Sequence, residues 1–156
     1  MQEAFFYISA GFAEGRKQVN MMKFDSESME LMAFFEANTG AMVKDCISSD
    51  EKLIFIIGEN EMGKAIGKNG INIKKMERLL KKKIKLTEFS SDVLQFVRNL
   101  IYPAEVSDVR LEEGVVTVHG KDTSARAILI GRERSNINYL TGIVKRYFDI
   151  REMRVV

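Results

Sequence analysis

A pattern of six elements occurs twice in this chain, and that repetition constrains the architecture more than any other feature. From Asp25 the first copy reads helix, strand, strand, helix, helix, strand. Met29, Leu31, Met32, Phe34 and Phe35 give the first helix a wide apolar face; Ser26 or Ser28 can cap it, and Asn38-Thr39-Gly40 ends it. Residues 41–47 read as a strand, Ser48-Ser49-Asp50 as a turn, and the unbroken apolar run 53–57 as a buried strand that Gly58 stops. A short helix over 61–66, with Met62, Ala65 and Ile66 inward, is interrupted by Gly67-Lys68-Asn69-Gly70. The next helix places Ile73, Met76, Leu79 and Leu80 on one face and Lys74, Lys75, Arg78, Lys81 and Lys82 on the other. Residues 84–87 close the copy as a strand.

The second copy follows the same order. Ser91 and Asp92 offer a cap for a helix carrying Val93, Leu94, Phe96, Val97 and Leu100, and Pro103 stops it. Residues 106–111 and 115–118 read as strands around the hairpin turn Glu112-Glu113-Gly114. A helix over 123–130 is interrupted by Gly131. Ser135 is placed to cap the following helix, with Ile137, Leu140, Ile143, Val144 and Tyr147 inward, and 150–155 forms the last strand. Gly67 and Gly131 fall at the same place in the two copies. A unit of roughly 65–70 residues is near the lower limit for a single core. The link at 88–92 has no flexible-linker composition, so the expectation is a rigid tandem of domains at 23–88 and 89–156. Residues 1–22 lie outside the repeat and read as a flexible extension, or as an upstream start ahead of Met21 or Met22.

Composition excludes several classes. With 156 residues, 46% of them hydrophobic and charges of both signs, the chain is expected to fold. No apolar run approaches the ~18 residues of a membrane helix. The apolar patch Ala4, Phe5, Phe6, Tyr7, Ile8 lacks the basic region of a signal peptide. One cysteine, Cys46, and one histidine, His119, allow neither a disulfide framework nor a Cys/His zinc site within one chain, which fits a reducing cytoplasm and no metal or other cofactor. The net charge is only +2, but its distribution is uneven. Residues 22–61 are acidic, whereas Lys64, Lys68, Lys74, Lys75, Arg78, Lys81, Lys82, Lys83 and Lys85 crowd the next stretch against Glu77 alone. A nearly neutral protein can thus present a basic face.

The chemistry concentrates in the first interrupted helix pair. Gly67 and Gly70 bracket two polar residues, Lys68 and Asn69. Glycine permits positive φ and leaves no Cβ in the way, so a phosphodiester backbone can approach closely. The helix that follows presents unpaired amides and a partial positive charge. Lys64, Lys68, Lys74 and Lys75 add cationic charge, while Ile66, Ile71 and Ile73 can line a groove for splayed bases. A bare GxxG occurs by chance in many chains; its setting inside a repeated unit, before a basic helix, gives it weight.

Ile66-Gly67-Lys68-Asn69-Gly70 followed by Asn72-Ile73 resembles the signature loop of KH domains, and the element order resembles the type II arrangement. The tandem, with Val43-Lys44-Asp45-Cys46 in its first copy, is similar to the short archaeal NusA-like transcription factors over residues 22–156. The resemblance implies an α+β fold of two type II KH domains, each a three-stranded sheet with helices on one face. It implies a non-catalytic factor of transcription termination or antitermination that binds nascent single-stranded RNA. The elongation complex is a further expected partner, and a monomer is expected. The larger bacterial relatives add an S1 domain and a polymerase-binding domain for which this chain has no room. The second loop departs from the pattern: Gly131, Arg132, Glu133 and then Arg134 where the second glycine belongs. A positive φ is costly for Arg134, although Arg132 and Arg134 can pair with phosphates.

Competing readings are weaker. Gly58-Glu59-Asn60-Glu61-Met62-Gly63-Lys64 matches the spacing of a nucleotide-phosphate loop, but Ala65 follows where a Mg²⁺-binding hydroxyl is needed, and Glu59 and Glu61 oppose phosphate. Cys46 and His119 lie in different copies with nothing to mark them as nucleophile and base. A protein-binding adaptor would not need Lys68, Asn69 and their basic surroundings. Ribosome assembly or RNA decay is the alternative role within RNA binding.

Overall fold

The computed structural model describes residues 26–48 and 52–156, in two compact units that divide between Ser90 and Ser91. The first contains α1 (Ser26–Thr39), β1 (Val43–Ser48), β2 (Lys52–Ile57), α2 (Met62–Ile66), α3 (Ile71–Leu80) and β3 (Lys83–Glu88). The second contains α4 (Val93–Ile101), β4 (Val106–Glu112), β5 (Val115–Gly120), α5 (Thr123–Ile130), α6 (Ser135–Lys145) and β6 (Glu152–Val155). The α+β repeat read from periodicity is therefore present. The expected extension at 1–22 and most of the Ser48-Ser49-Asp50 turn lie outside the described residues.

Each unit holds one three-stranded sheet with the second strand central, β1-β2-β3 and β4-β5-β6. In both, the first pair is antiparallel and the second parallel, with Phe55 opposite Cys46 and Leu86 in one unit and Val118 opposite Val109 and Val155 in the other. A parallel pair needs a crossover, and α2 with α3, or α5 with α6, provides it. The crossover is the helix–loop–helix, so the sheet topology itself sets where each glycine loop emerges.

The first core joins one sheet face to all three helices: Leu53, Phe55 and Ile57 of β2 with Phe35 of α1, Ala65 of α2 and Met76 of α3. Phe35 stacks on Phe55 with ring centroids 4.4 Å apart, a pair that contributes about 1 kcal/mol beyond its buried area. Leu53 to Ile57 are all buried, as their unbroken apolar run predicts, and Lys52 at the start of β2 is buried with them. In the second unit Phe96, Val97, Leu100 and Ile101 of α4, Leu129 of α5 and Ile137, Leu140, Ile143 and Val144 of α6 are buried with Val109, Val116, Val118 and Met153. Phe96 meets Tyr147 edge-on and Phe148 at a tilt, each at 5.6 Å.

Several local expectations change. Met29, Phe34 and Leu79 are exposed, because α1 and α3 bury narrower stripes than their composition suggests. Ser28 is buried in the first turn of α1, two residues inside its start at Ser26. Asp92 does cap α4, accepting from the Leu94 amide at 3.1 Å, and Asp122 caps α5 through the Ala125 amide at 2.8 Å. Ser135 is the first residue of α6 and not its cap, since Arg134 precedes it in a left-handed conformation. The last strand begins at Glu152, two residues later than expected.

Candidate nucleic-acid interface

The first loop is built by two consecutive departures from the helix. The Gly67 amide still donates to the Gly63 carbonyl at 2.9 Å, completing α2. Gly67 then swings to φ 75°, ψ 171°, which lifts the chain off the helix axis. The Gly70 amide returns to the Gly67 carbonyl at 3.1 Å, with Asn69 at φ 57°, ψ 26° and Gly70 at φ 74°, ψ 17°. Ile71 starts α3. Among the described residues, no group accepts from the Lys68 or Asn69 amide. Two adjacent amides at the start of a helix form a concavity suited to an anion.

The second loop repeats this path. The Gly131 amide donates to the Ala127 carbonyl at 2.9 Å and the Arg134 amide to the Gly131 carbonyl at 3.2 Å. Gly131 stands at φ 72°, ψ 173°, Glu133 at φ 53°, ψ 33°, and Arg134 at φ 63°, ψ 18°. Arg134 thus adopts the positive φ that its side chain disfavours, and the cradle keeps its shape without a second glycine.

Side chains at one remove hold both loops. Asn72 Nδ2 donates to the Lys64 carbonyl and Asn136 Nδ2 to the Ile128 carbonyl, each at 2.8 Å and each eight residues back along the chain. Both asparagines pack against the first glycine of their loop: a Cβ on Gly67 would lie 2.8 Å from Asn72 Cγ, and one on Gly131 2.6 Å from Asn136 Cβ. Asn136 is fully buried, and its Oδ1 finds no donor among the described residues. The residue reading missed these roles. Their signal was present in the shared position of Asn72-Ile73 and Asn136-Ile137, five residues after each first glycine.

The residues expected to bind RNA fall at the loop and the start of α3. Lys68 and Asn69 are exposed at the tip, with Gly67 and Gly70 half-buried behind them. Lys74 is exposed, and its stem passes beside Gly70. Lys75 is half-buried. Ile71 is 62% exposed at the helix start, whereas Ile66 is half-buried and Ile73 packs against the core, so Ile71 offers more open apolar surface than Ile73. Glu77 turns inward, accepting from the Ile84 amide at 3.1 Å, which leaves Arg78 exposed on the basic side of α3. In the second loop Arg132, Glu133 and Arg134 are exposed and Gly131 is half-buried.

Lys64 is already engaged. Its Nζ lies 3.1 Å from Glu61, whose other carboxylate oxygen accepts from the Met42 amide at 3.2 Å. The Lys64 hydrogen bond and then the Met42 amide hold the Glu61 carboxyl below its ordinary range. The segment spaced like a nucleotide-phosphate loop is therefore a brace between α2 and the start of β1, with the Lys64 ammonium paired to the Glu61 carboxylate. Cys46 is buried in the first core, and His119 lies in β5, its carbonyl accepting from Ser107. Among the described residues no His, Cys, Asp or Glu group of three or more is placed to hold a metal ion, and no helix is long and apolar enough to cross a membrane.

Comparison with known proteins places the chain in a family. Residues 41–92 match the family model of the NusA-like second KH domain. "Probable transcription termination protein NusA" of Methanococcus vannielii is 37% identical over 139 residues, covering 86% of this chain and 80% of that protein. The protein of the same description from Methanocaldococcus jannaschii is 30% identical, over 86% of this chain and 75% of its own length. The crystal structure of APE1850 superposes with a TM-score of 0.66 at 26% identity, spanning 85% of this chain and all of that one. On these grounds the chain belongs to the archaeal NusA-like family of KH-domain proteins.

Proposed function

We propose that this chain is an RNA-binding factor of transcription termination or elongation that holds single-stranded RNA on its two glycine loops. In this reading residues 23–88 and 89–156 are each one KH domain, and nascent RNA in the elongation complex is the ligand. The observation that carries it is the shared backbone of the loops: in both, two adjacent amides at the start of a helix have no backbone acceptor among the described residues. Lys68, Asn69 and Lys74 surround the first pair, and Arg132 and Arg134 the second. Phosphates meet backbone amides and cations there, while unpaired bases pass over Ile71. The loop offers recognition without chemistry, since neither tip carries a nucleophile with an adjacent base.

The test is a binding titration with single-stranded RNA. Lys68→Asp combined with Asn69→Asp is expected to abolish binding while circular dichroism stays unchanged, because both side chains are exposed. For the unmodified chain, log affinity is expected to fall against log salt with a slope of roughly −0.7 for each phosphate contacted, for roughly three to six contacts. Unchanged affinity in the double variant, or a flat salt response, would refute the assignment.

A further inference from the structure

We infer that Asn72 and Asn136 are positioning residues that keep each loop open to RNA by standing in for a backbone donor, a role that rests on the reading above. In an uninterrupted α-helix the carbonyl of Lys64 would accept from the amide four residues on, that of Lys68. The same register would pair the carbonyl of Ile128 with the amide of Arg132. In both loops the side chain of the asparagine takes that carbonyl, at 2.8 Å. The carbonyl is satisfied, and the loop amide that would have served it has no acceptor among the described residues.

The two loops differ in the residues that would face RNA. The second has Arg132, Glu133 and Arg134 where the first has Lys68, Asn69 and Gly70. They agree in the pair behind the loop, a glycine and an asparagine five residues later, pressed so closely that a Cβ on either glycine would meet the asparagine at under 3 Å. That agreement identifies the shared requirement as the fixed path of the chain. It also explains why Gly67 and Gly131 admit no side chain: the asparagine occupies the space. Asn136 is held there although its Oδ1 is buried with no donor among the described residues, so its place serves the Nδ2 bond to the Ile128 carbonyl at the expense of its other polar atom.

The experiment uses the full chain with Asn72→Leu and, separately, Asn136→Leu, which keep the branched shape and the neutral charge but cannot donate. Affinity for a short single-stranded RNA is measured by fluorescence anisotropy, and amide hydrogen exchange is followed residue by residue. Asn72→Leu is expected to weaken RNA binding about tenfold, the loss of one well-placed hydrogen bond. It is also expected to slow exchange at the Lys68 amide as that group turns back to the Lys64 carbonyl; Asn136→Leu should slow the Arg132 amide in the same way. A merely structural residue would not retard one chosen amide. If Asn72→Leu melts below the assay temperature, the smaller Asn72→Ser, whose hydroxyl is too short to reach the Lys64 carbonyl, is read in its place. Wild-type affinity and wild-type exchange in these variants would overturn the inference, as would an affinity loss matching the unfolded fraction. The Lys68→Asp, Asn69→Asp variant is run alongside. If it still binds, the RNA assignment of the loop has failed; if it does not bind while Asn72→Leu binds normally, only the positioning role has failed.

Discussion

Arg134 holds the conformation of Gly70: φ 63°, ψ 18° against φ 74°, ψ 17°. A residue with a Cβ pays roughly 1–2 kcal/mol for this left-handed state. The second loop stays closed because the Arg134 amide returns to the Gly131 carbonyl and α6 continues directly from it. Space is not the obstacle, since a Cβ on Gly70 would meet only side-chain carbons of Lys74 and Ile73 at 3.7–3.8 Å.

Arg134→Gly should therefore stabilise the second unit. Relief of the left-handed strain exceeds the added freedom of glycine in the unfolded chain, and the net gain is expected to be about 0.5–1 kcal/mol. Chemical denaturation checks this. A loss of stability would show that the guanidinium makes a compensating contact.

Gly67 and Gly63 should respond oppositely to alanine. At Gly67 the φ of 75° and the 2.8 Å approach to Asn72 both penalise a Cβ, so Gly67→Ala is expected to destabilise by at least about 2 kcal/mol. Gly63 lies within α2, exposed, with nothing within 4 Å of a new Cβ, and Gly63→Ala should stabilise by roughly 0.5–1 kcal/mol. Paired thermal melts decide it: equal shifts for the two variants would contradict the loop geometry.

Lys85 gives a pH prediction. Burial in β3 lowers its pKa from the ordinary 10.5 to about 7. Between these values the unfolded chain holds a proton that the native chain has released, so the contribution of Lys85 to stability rises with pH, by at most about 1.4 kcal/mol per unit. Below about pH 7 both states are protonated and its destabilising effect is full and constant. Lys85→Met should be more stable than the wild type at pH 6, with the gap narrowing towards pH 9–10. Urea titrations at several pH values measure it, and a gap independent of pH would show that the ammonium stays charged in the native protein.

Much of the molecule is legible in the chain. Short-range pattern was enough for the six-element repeat, the buried run of β2, the cap at Asp92 and the two glycine-led loops, because helix and strand periods report which side of each element meets a core. The same reasoning fell short where more than one partner was available. Asp122 was overlooked as a cap and Ser135 taken for one, since a capping side chain is recognised only once the first free amides are located. Lys85, which reads as part of a solvated basic face, is buried in its sheet.

Order along the chain by itself determined that two small α+β units form and that each breaks a helix pair with a glycine. Tertiary structure alone decided how those breaks are held. The bonds from Asn72 to Lys64 and from Asn136 to Ile128 join two helices, and a bond between helices exists only when packing has fixed their separation. The left-handed turn at Arg134 is settled the same way, by a helix that must begin where the sheet crossover places it, against the preference of the residue itself.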